Sequence, residues 1–142
     1  MLSNACKYAI RAVLFLALNA KDNRKYGVKT ISEELDCPQP FLSKLLQQLT
    51  RKNLVSSTKG PKGGFFLSDE NKQNTVYDIV ECIDGTSKFE NCFLGLSKCN
   101  DEEPCPVHEN FRAFKKGLLK KFQDKTIEEF AENIDIKGIR YL

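Results

Sequence analysis

The sequence predicts a mainly α-helical fold with one small β-hairpin and a long helix near its end. Apolar residues recur at helical spacing in several segments, which indicates amphipathic helices. A glycine-rich basic turn separates two short segments that read as strands, residues 54–58 and 65–67, which indicates a hairpin. A chain of 142 residues with 41% hydrophobic composition can bury one core without covalent crosslinks.

The charge of the chain is unevenly distributed. Residues 1–74 carry twelve Lys/Arg and six Asp/Glu, whereas residues 75–142 carry ten and thirteen. The basic half is therefore the candidate for binding an anionic partner. No apolar run reaches the roughly 18 residues of a membrane span, and Lys21, Asp22 and Asn23 stand where a signal peptide would have its cleavage site. We expect a soluble cytoplasmic protein.

The first half of the chain predicts three helices. Residues 4–20 are apolar around most of the helix surface and should be largely buried. Thr30 and Glu33 have capping-box spacing ahead of a short helix that ends near Leu35. Pro40 suits the first turn of the third helix. That helix has an apolar stripe for docking onto the first two: Phe41, Leu42, Leu45, Leu46 and Leu49.

The hairpin follows Asn53, a residue type that tolerates the left-handed conformation at a helix end. Helix, short helix, turn, helix and basic hairpin is the order of a winged helix-turn-helix domain, whose last helix enters the DNA major groove. The polar side chains predicted to contact DNA are Gln39, Ser43, Lys44, Gln47 and Arg51 of that helix and Lys59 and Lys62 of the wing. A solvated helix face is the alternative, and the glycine-rich turn lacks the spacing of a nucleotide-binding loop.

The second half of the chain contains a candidate metal site. Thr75 and Asp78 predict a capped helix to about Asp84, after which residues 85–105 show no periodicity. Four candidate ligands follow the pattern C-x6-C-x5-C-x2-H: Cys92, Cys99, Cys105 and His108. Three thiolates and an imidazole can complete an iron–sulfur cluster or bind one zinc ion, and spacing alone separates these weakly.

The sequence gives less indication of a chemical role for the other three cysteines. Cys6 and Cys82 lie in apolar helical surroundings, where free cysteine behaves as a small buried hydrophobe. Cys37 precedes the third helix, where oxidation could disturb DNA binding, although no neighbour marks it as an activated thiol.

Residues 107–122 predict a long helix whose apolar stripe requires a partner. The stripe contains Phe111, Phe114, Leu118 and Phe122, and we expect it to pair with a second copy of the chain. Thr126 and Glu129 cap a last short helix. The predicted division is a DNA-binding domain at residues 1–84, a cluster-binding loop at 85–106, and a dimerisation helix with a C-terminal helix that packs back on the first domain at 107–142.

Several stretches of the sequence together resemble the IscR/NsrR-type iron–sulfur winged-helix transcriptional regulators. The resemblance covers nearly the whole chain. It rests on Lys7-Tyr8-Ala9-Ile10, on Phe41-Leu42-Ser43-Lys44-Leu45-Leu46, on Leu54-Val55-Ser56-Ser57-Thr58-Lys59-Gly60-Pro61-Lys62-Gly63-Gly64-Phe65, and on Cys92, Cys99 and Cys105.

The resemblance implies that the three cysteines and His108 hold a [2Fe-2S] cluster. A [4Fe-4S] cluster is the alternative, but its acidic ligand from the first helix has no counterpart, because no Asp or Glu precedes Asp22. Two departures leave the cluster type and the DNA sequence open. The first cysteine spacing is six residues rather than five, and Ser43 replaces the acidic base-reading residue.

The predicted function is a dimeric regulator, a repressor, that binds a near-palindromic DNA site and senses iron, oxygen, nitric oxide or redox state through the cluster. The alternatives are a regulator with structural zinc, and one without metal that senses through thiols or a protein partner. An enzyme is not expected, because the chain has no C-x-x-C motif and His108 is the only possible imidazole base. A protein-interaction module that uses the long helix is the remaining rival.

Overall fold

The computed structural model describes residues 2–20, 24–96 and 99–134. The helices in this part are α1 (Asn4–Leu18), α2 (Val28–Leu35), α3 (Gln39–Arg51), α4 (Asp69–Lys72), α5 (Val76–Asp84), α6 (His108–Asp124) and α7 (Ile127–Ala131). A two-stranded sheet is formed by β1 (Ser56–Thr58) and β2 (Gly64–Phe66), and a 3-10 turn spans Thr86–Phe89. None of the described helices is both long and apolar enough to cross a membrane.

Helix α1 lies at the centre of the fold and packs against α2, α3, α5 and α7. Its N-cap is Ser3, whose hydroxyl accepts a hydrogen bond from the Cys6 amide at 3.0 Å. The predicted burial is confirmed by the helix's fully or nearly buried positions: Cys6, Ala9, Ala12, Val13, Leu14, Phe15 and Leu16. The helix ends at Leu18, two residues before the predicted end.

Helix α2 begins earlier than its predicted cap. Gly27 is the N-cap, and the Ile31 amide already donates to the Gly27 carbonyl at 3.2 Å. Thr30 therefore lies inside the first turn, and the predicted Thr30–Glu33 capping box is wrong. The helix ends at Leu35 as predicted, with Asp36 in the left-handed conformation at φ 49°.

Helix α3 has Pro40 in its first turn, as predicted. Four leucines of its stripe are buried in the core: Leu42, Leu45, Leu46 and Leu49. Phe41 differs from the prediction, because 37% of its surface is exposed. Its ring lies at the edge of this face, in an edge-to-face contact with Tyr8 at 5.8 Å between centroids.

The hairpin is shorter than predicted. Strands β1 and β2 pair antiparallel with Ser56 opposite Phe66, whereas Leu54 and Val55 lie outside the strand and are buried in the core. Tyr26 forms an additional bridge to Phe65, with N–H···O distances of 2.8 and 2.9 Å. A Cβ on Gly64 would lie 2.8 Å from the Tyr26 carbonyl, so this approach requires glycine.

The remaining helices begin at side-chain caps. Capping boxes start α5 at Thr75 and α7 at Thr126, as predicted, and a third at Ser68 starts α4, which the sequence analysis missed. Helix α7 packs against α1. The predicted region 107–142 extends into residues 135–142, which lie outside the described residues, as do residues 97 and 98 of the cysteine loop.

Candidate DNA-binding surface and cysteine site

The structure places the polar side chains of α3 opposite its buried leucines. Gln39, Lys44, Gln47 and Arg51 are exposed, and Ser43 is half-buried. Spacings of three and four residues bring these side chains to one face of the helix. This face can therefore meet the edges of base pairs, while their contact with DNA stays a prediction.

The wing carries its two predicted cations on a tight turn. Lys59 and Lys62 are exposed, and the Gly63 amide donates to the Gly60 carbonyl at 2.9 Å across the tip. A Cβ on Gly63 would clash with the Thr58 carbonyl, and Gly60 has φ 101°. The glycines are required by the turn that presents both lysines to solvent.

Two further cations lie beside the wing and were missed from the sequence. The Arg24 guanidinium lies 5.6 Å from the Tyr26 ring, and the Lys25 ammonium lies 5.5 Å from the Phe66 ring of β2. Tyr26 reaches the hairpin through its bridge to Phe65. The sequence signal that could have identified these two cations is the aromatic Tyr26 directly after them. That segment was interpreted only as a polar loop.

The four candidate metal ligands form two neighbouring pairs. The Cys99 Sγ lies 3.5 Å from His108 Nδ1, and the Cys105 thiol hydrogen-bonds to Cys92. Cys92 and Cys99 line one cavity of about 690 Å³, together with Phe111 of α6. The loop therefore brings the predicted residues of the segment to one region of the surface.

His108 is held in one orientation by a carboxylate. Its side chain is buried at the start of α6, and its Nε2 lies 3.0 Å from Asp101 Oδ1. Arg112 donates to the same oxygen at 2.8 Å. Nδ1 is thus the nitrogen that faces Cys99, and Asp101 has the position of a carboxylate that orients a metal-binding imidazole. Asp101 was not identified from the sequence, because an acidic residue in an aperiodic loop gives no pattern.

The pKa of Cys92 in the loop and the pKa values of the cysteines in the helical core are shifted in opposite directions. Backbone N–H groups of Leu96 and Leu94 lower the pKa of Cys92, and the Cys105 thiol adds to this. Burial raises the pKa of Cys6 to about 12, and it also raises the pKa of Cys37. The thiolate form needed for metal binding is therefore favoured at Cys92 and disfavoured in the core.

The donor set fits an iron–sulfur cluster in its chemistry. Three thiols and one imidazole are the ligand types that bind such clusters, and the N–H groups around Cys92 are typical of sulfur that carries negative charge. Within residues 2–20, 24–96 and 99–134, no three His, Cys, Asp or Glu side chains are close enough together to hold a single metal ion. The ligands are thus spread as two pairs along the segment.

The apolar stripe of α6 is divided between intrachain contacts and an exposed groove. Phe111 packs on Phe93 with 4.6 Å between ring centroids, and Phe122 contacts the rings of Phe89 and Phe130. Phe114 is 52% exposed beside a groove of about 620 Å³ that Leu118 also lines. Only the Phe114 part of the predicted stripe is therefore open to a partner.

A winged helix-turn-helix followed by a cysteine loop and a long helix defines a class of transcriptional regulators. The sequence profile of the Rrf2 family, described as an iron-dependent transcriptional regulator, matches residues 2–133, and the chain belongs to this family. The predicted family and fold class are thus confirmed.

Relatives of known name support this assignment. A protein of Aquifex aeolicus named as a candidate HTH-type transcriptional regulator is 34% identical over 96% of this chain and 94% of its own length. The HTH-type transcriptional regulator IscR of Klebsiella pneumoniae is 27% identical over 97% of this chain and 83% of its own. These relatives are transcriptional regulators rather than enzymes.

Two solved structures share the fold. CymR, the global cysteine regulator of B. subtilis, has a TM-score of 0.75 at 20% identity over 95% of this chain and 98% of its own. T. potens IscR has a TM-score of 0.67 at 20% identity over 95% of this chain and 88% of its own. The fold of this chain is therefore shared with both structures over 95% of its length.

Proposed function

We propose that this transcriptional regulator is a homodimeric repressor whose DNA affinity depends on an iron–sulfur cluster held by Cys92, Cys99, Cys105 and His108. The observation that carries the proposal is that one short segment supplies both ligand pairs and joins directly to α5 and α6. The IscR relatives support iron–sulfur binding, and the family resemblance of the three cysteines and His108 implies a cluster of the [2Fe-2S] type. We propose the cytoplasm as the place where it acts, as for a bacterial regulator such as the Klebsiella pneumoniae relative.

Two DNA-binding surfaces lie next to each other in each protomer. The exposed face of α3 offers amide, hydroxyl and cationic side chains, which can contact base edges and phosphates in a major groove. Lys59 and Lys62 of the wing offer charge to the neighbouring backbone or minor groove. Two protomers related by a two-fold axis would contact a near-palindromic site.

The Phe114 groove of α6 is the proposed dimer contact. Phe114 is half-exposed, and the groove is lined by apolar atoms of Leu118 with lysines at its rim. An apolar centre with a charged rim is typical of protein interfaces. Because α6 begins at His108, the dimer helix and one candidate ligand belong to the same element.

Helix α5 connects the cysteine segment with the DNA-binding helix. It packs against α1, α3 and α6. The Cys82 thiol of α5 lies 3.8 Å from the Gln48 carbonyl of α3, and Ser3 at the start of α1 hydrogen-bonds to Asp84 at the end of α5. A change in how the segment packs therefore reaches α3 through one layer of contacts.

A bound cluster would supply a centre that iron supply, oxygen, nitric oxide or oxidants can alter. The chain's own part is to hold the ligands on a segment whose packing differs between the occupied and empty states. Such a difference in packing gives the two states different DNA affinities.

The proposal is tested by the visible spectrum and the iron, sulfide and zinc content of protein purified without oxygen. The triple variant Cys92→Ala, Cys99→Ala, Cys105→Ala should lose the colour, iron and sulfide of the wild type. The matched control Cys6→Ala, Cys37→Ala, Cys82→Ala removes three cysteines outside the segment. It should keep the colour, the iron and the sulfide. Colourless wild-type protein with one zinc ion, or with no metal after reconstitution, would overturn the cluster assignment.

A thiol sensor is the second candidate, favoured by the Cys92–Cys105 contact. The Cys92 thiolate would attack one oxygen of a hydroperoxide, forming a sulfenic acid and releasing hydroxide or alkoxide. The Cys105 thiol would then attack that sulfur, forming a disulfide and releasing water. Metal-free protein treated with hydrogen peroxide should give a Cys92–Cys105 crosslinked peptide by mass spectrometry. Cys105→Ala should stop at a dimedone-reactive sulfenic acid, and its absence would exclude this candidate.

A further inference from the structure

Asn71 is a buried polar residue whose side chain meets three separate segments. It lies in α4 with 4% of its surface exposed. Its Nδ2 donates to the Asn53 carbonyl at 2.7 Å, while its Oδ1 accepts from the Ser56 hydroxyl at 2.6 Å and from the Ser68 amide at 3.0 Å. A single side chain therefore joins two backbone groups, of Asn53 and Ser68, and one hydroxyl, of Ser56.

These three positions are the junctions of the DNA-binding surface. Asn53 follows the end of α3, at φ 56°, Ser56 is the first residue of β1, and Ser68 follows β2. The end of the helix that faces DNA and both ends of the hairpin thus meet at one amide group.

The chemistry of the partners fixes the amide in one orientation. The Ser68 amide can only donate a hydrogen bond and the Asn53 carbonyl can only accept one. Rotating the Asn71 amide by 180° would place its Nδ2 donor against the Ser68 N–H donor. It would also place its Oδ1 acceptor against the Asn53 carbonyl acceptor. Because the site is buried, such a mismatch is costly, and a satisfied network specifies one geometry.

We propose that Asn71 is a positioning residue that sets the wing at a fixed place relative to α3, so that Lys59 and Lys62 reach DNA when α3 occupies its groove. The inference rests on the proposed DNA-binding function. A hairpin held in advance contributes its contacts without the entropy cost of being ordered on binding.

The test compares the salt dependence of DNA binding by the full-length protein and its variants. The probe is a fluorescent duplex selected by the wild-type protein from a random-sequence library. Asn71→Ala should weaken binding about tenfold at moderate salt and make the slope of log affinity against log salt shallower by about four, because each protomer of the dimer loses two phosphate contacts. The Lys59→Ala, Lys62→Ala double variant should show the same slope.

The decisive readout is the combined variant. Asn71→Ala added to Lys59→Ala, Lys62→Ala should change the affinity by no more than about twofold, because the contacts that Asn71 positions are already gone. Additive effects, or a wild-type slope for Asn71→Ala, would overturn the inference. Wild-type protein without salt-dependent DNA binding would instead overturn the proposed function, and the inference with it.

Two further variants separate positioning from stability. Asn74→Ala is the matched control, because Asn74 also donates to the Asn53 carbonyl, at 3.2 Å, but does not bond to Ser56 or Ser68. It should keep the wild-type salt slope. Ser56→Ala removes only the β1 contact and covers the case in which Asn71→Ala fails to fold. It should make the slope of log affinity against log salt shallower, as Asn71→Ala does. An unchanged slope would overturn the inference.

Discussion

The two halves of the described chain differ in how they bury apolar side chains. In the winged-helix half, α1, α3 and α5 share one core in which Leu14, Leu46 and Ile79 are fully buried. In α6, His108 is the only buried residue. Of the six large apolar side chains that are exposed in the described part, five lie between residues 93 and 114.

This contrast indicates two different sources of stability. The winged-helix half folds around one core that Ile127 of α7 completes, as burial of that many leucine and isoleucine side chains contributes most of the free energy of a small domain. The second half leaves apolar surface exposed beside its cysteines and in the proposed dimer groove. It should therefore become ordered through a partner chain, a bound cluster, or both.

The largest expected effect tests the core of the first half. Leu46→Ala removes a fully buried side chain from α3 and should lower the free energy of unfolding by about 2–5 kcal/mol. Phe114→Ala, a truncation on α6, should cost about 1 kcal/mol or less in protein dilute enough for the dimer to dissociate, because that ring is half-exposed in the single protomer. Urea unfolding at one protein concentration measures both, and equal losses would remove the contrast.

Two glycine substitutions should change the stability of the fold in opposite directions. Gly64→Ala places a Cβ 2.8 Å from the Tyr26 carbonyl at φ 150°, and should destabilise the fold by about 1–3 kcal/mol. Gly117→Ala in α6 meets no atom of its own protomer within 4 Å, and should stabilise the helix of the dissociated protomer by about 0.5–1 kcal/mol. Thermal unfolding gives both changes, and a loss of stability at both positions would contradict the open surface assigned to α6.

The dimer groove predicts a change in association. Phe114→Asp places a charge in the proposed contact and should weaken dimerisation at least tenfold, or by about 1.4 kcal/mol. Sedimentation equilibrium measures the constant. Lys116→Asp also adds an acidic group to the exposed surface of α6 but does not line the groove, and should leave association within about threefold. Similar effects of the two variants would place the interface elsewhere.

The smallest effect concerns the buried thiol of Cys6. Burial raises its pKa from 9.0 to about 12, so the folded chain keeps a proton that the unfolded chain releases. The stabilising contribution is complete below pH 9 and is lost as the pH rises from 9 towards 12. Between pH 8 and pH 10, the wild type should lose about 1 kcal/mol more stability than Cys6→Ala. Urea unfolding at both pH values gives the difference, and equal losses in the wild type and in Cys6→Ala would contradict the burial of this thiol.

Local patterns made most of the helix starts and buried helix faces predictable. The leucine stripe of α3, the proline in its first turn and the caps at Thr75 and Thr126 depend on residues close in sequence, and each is confirmed. The cap predicted at Thr30 was wrong for a related reason, because Gly27 starts the same helix one turn earlier. A capping pattern alone does not decide which of two neighbouring starts is used.

The arrangement of the candidate sites could not be predicted in the same way. The cysteines were identified by residue type, but their division into Cys92–Cys105 and Cys99–His108 pairs depends on the path of an aperiodic loop. Asp101 and Asn71 act through contacts between distant segments, for which a single sequence has no periodic signal. The same holds for Arg24, which reaches the wing only through the bridge of Tyr26.

The most direct test of the account is the DNA affinity of the protein with and without its cluster. Wild-type protein, prepared without oxygen, would be compared before and after cluster removal on one selected duplex at fixed salt, beside the Cys92→Ala, Cys99→Ala, Cys105→Ala variant. We expect at least a fivefold difference between the two wild-type states, or about 1 kcal/mol, and no response of the variant to the same treatment. Equal affinity of the two wild-type states would contradict the account, because the cysteine segment would then have no control over the DNA-binding surface.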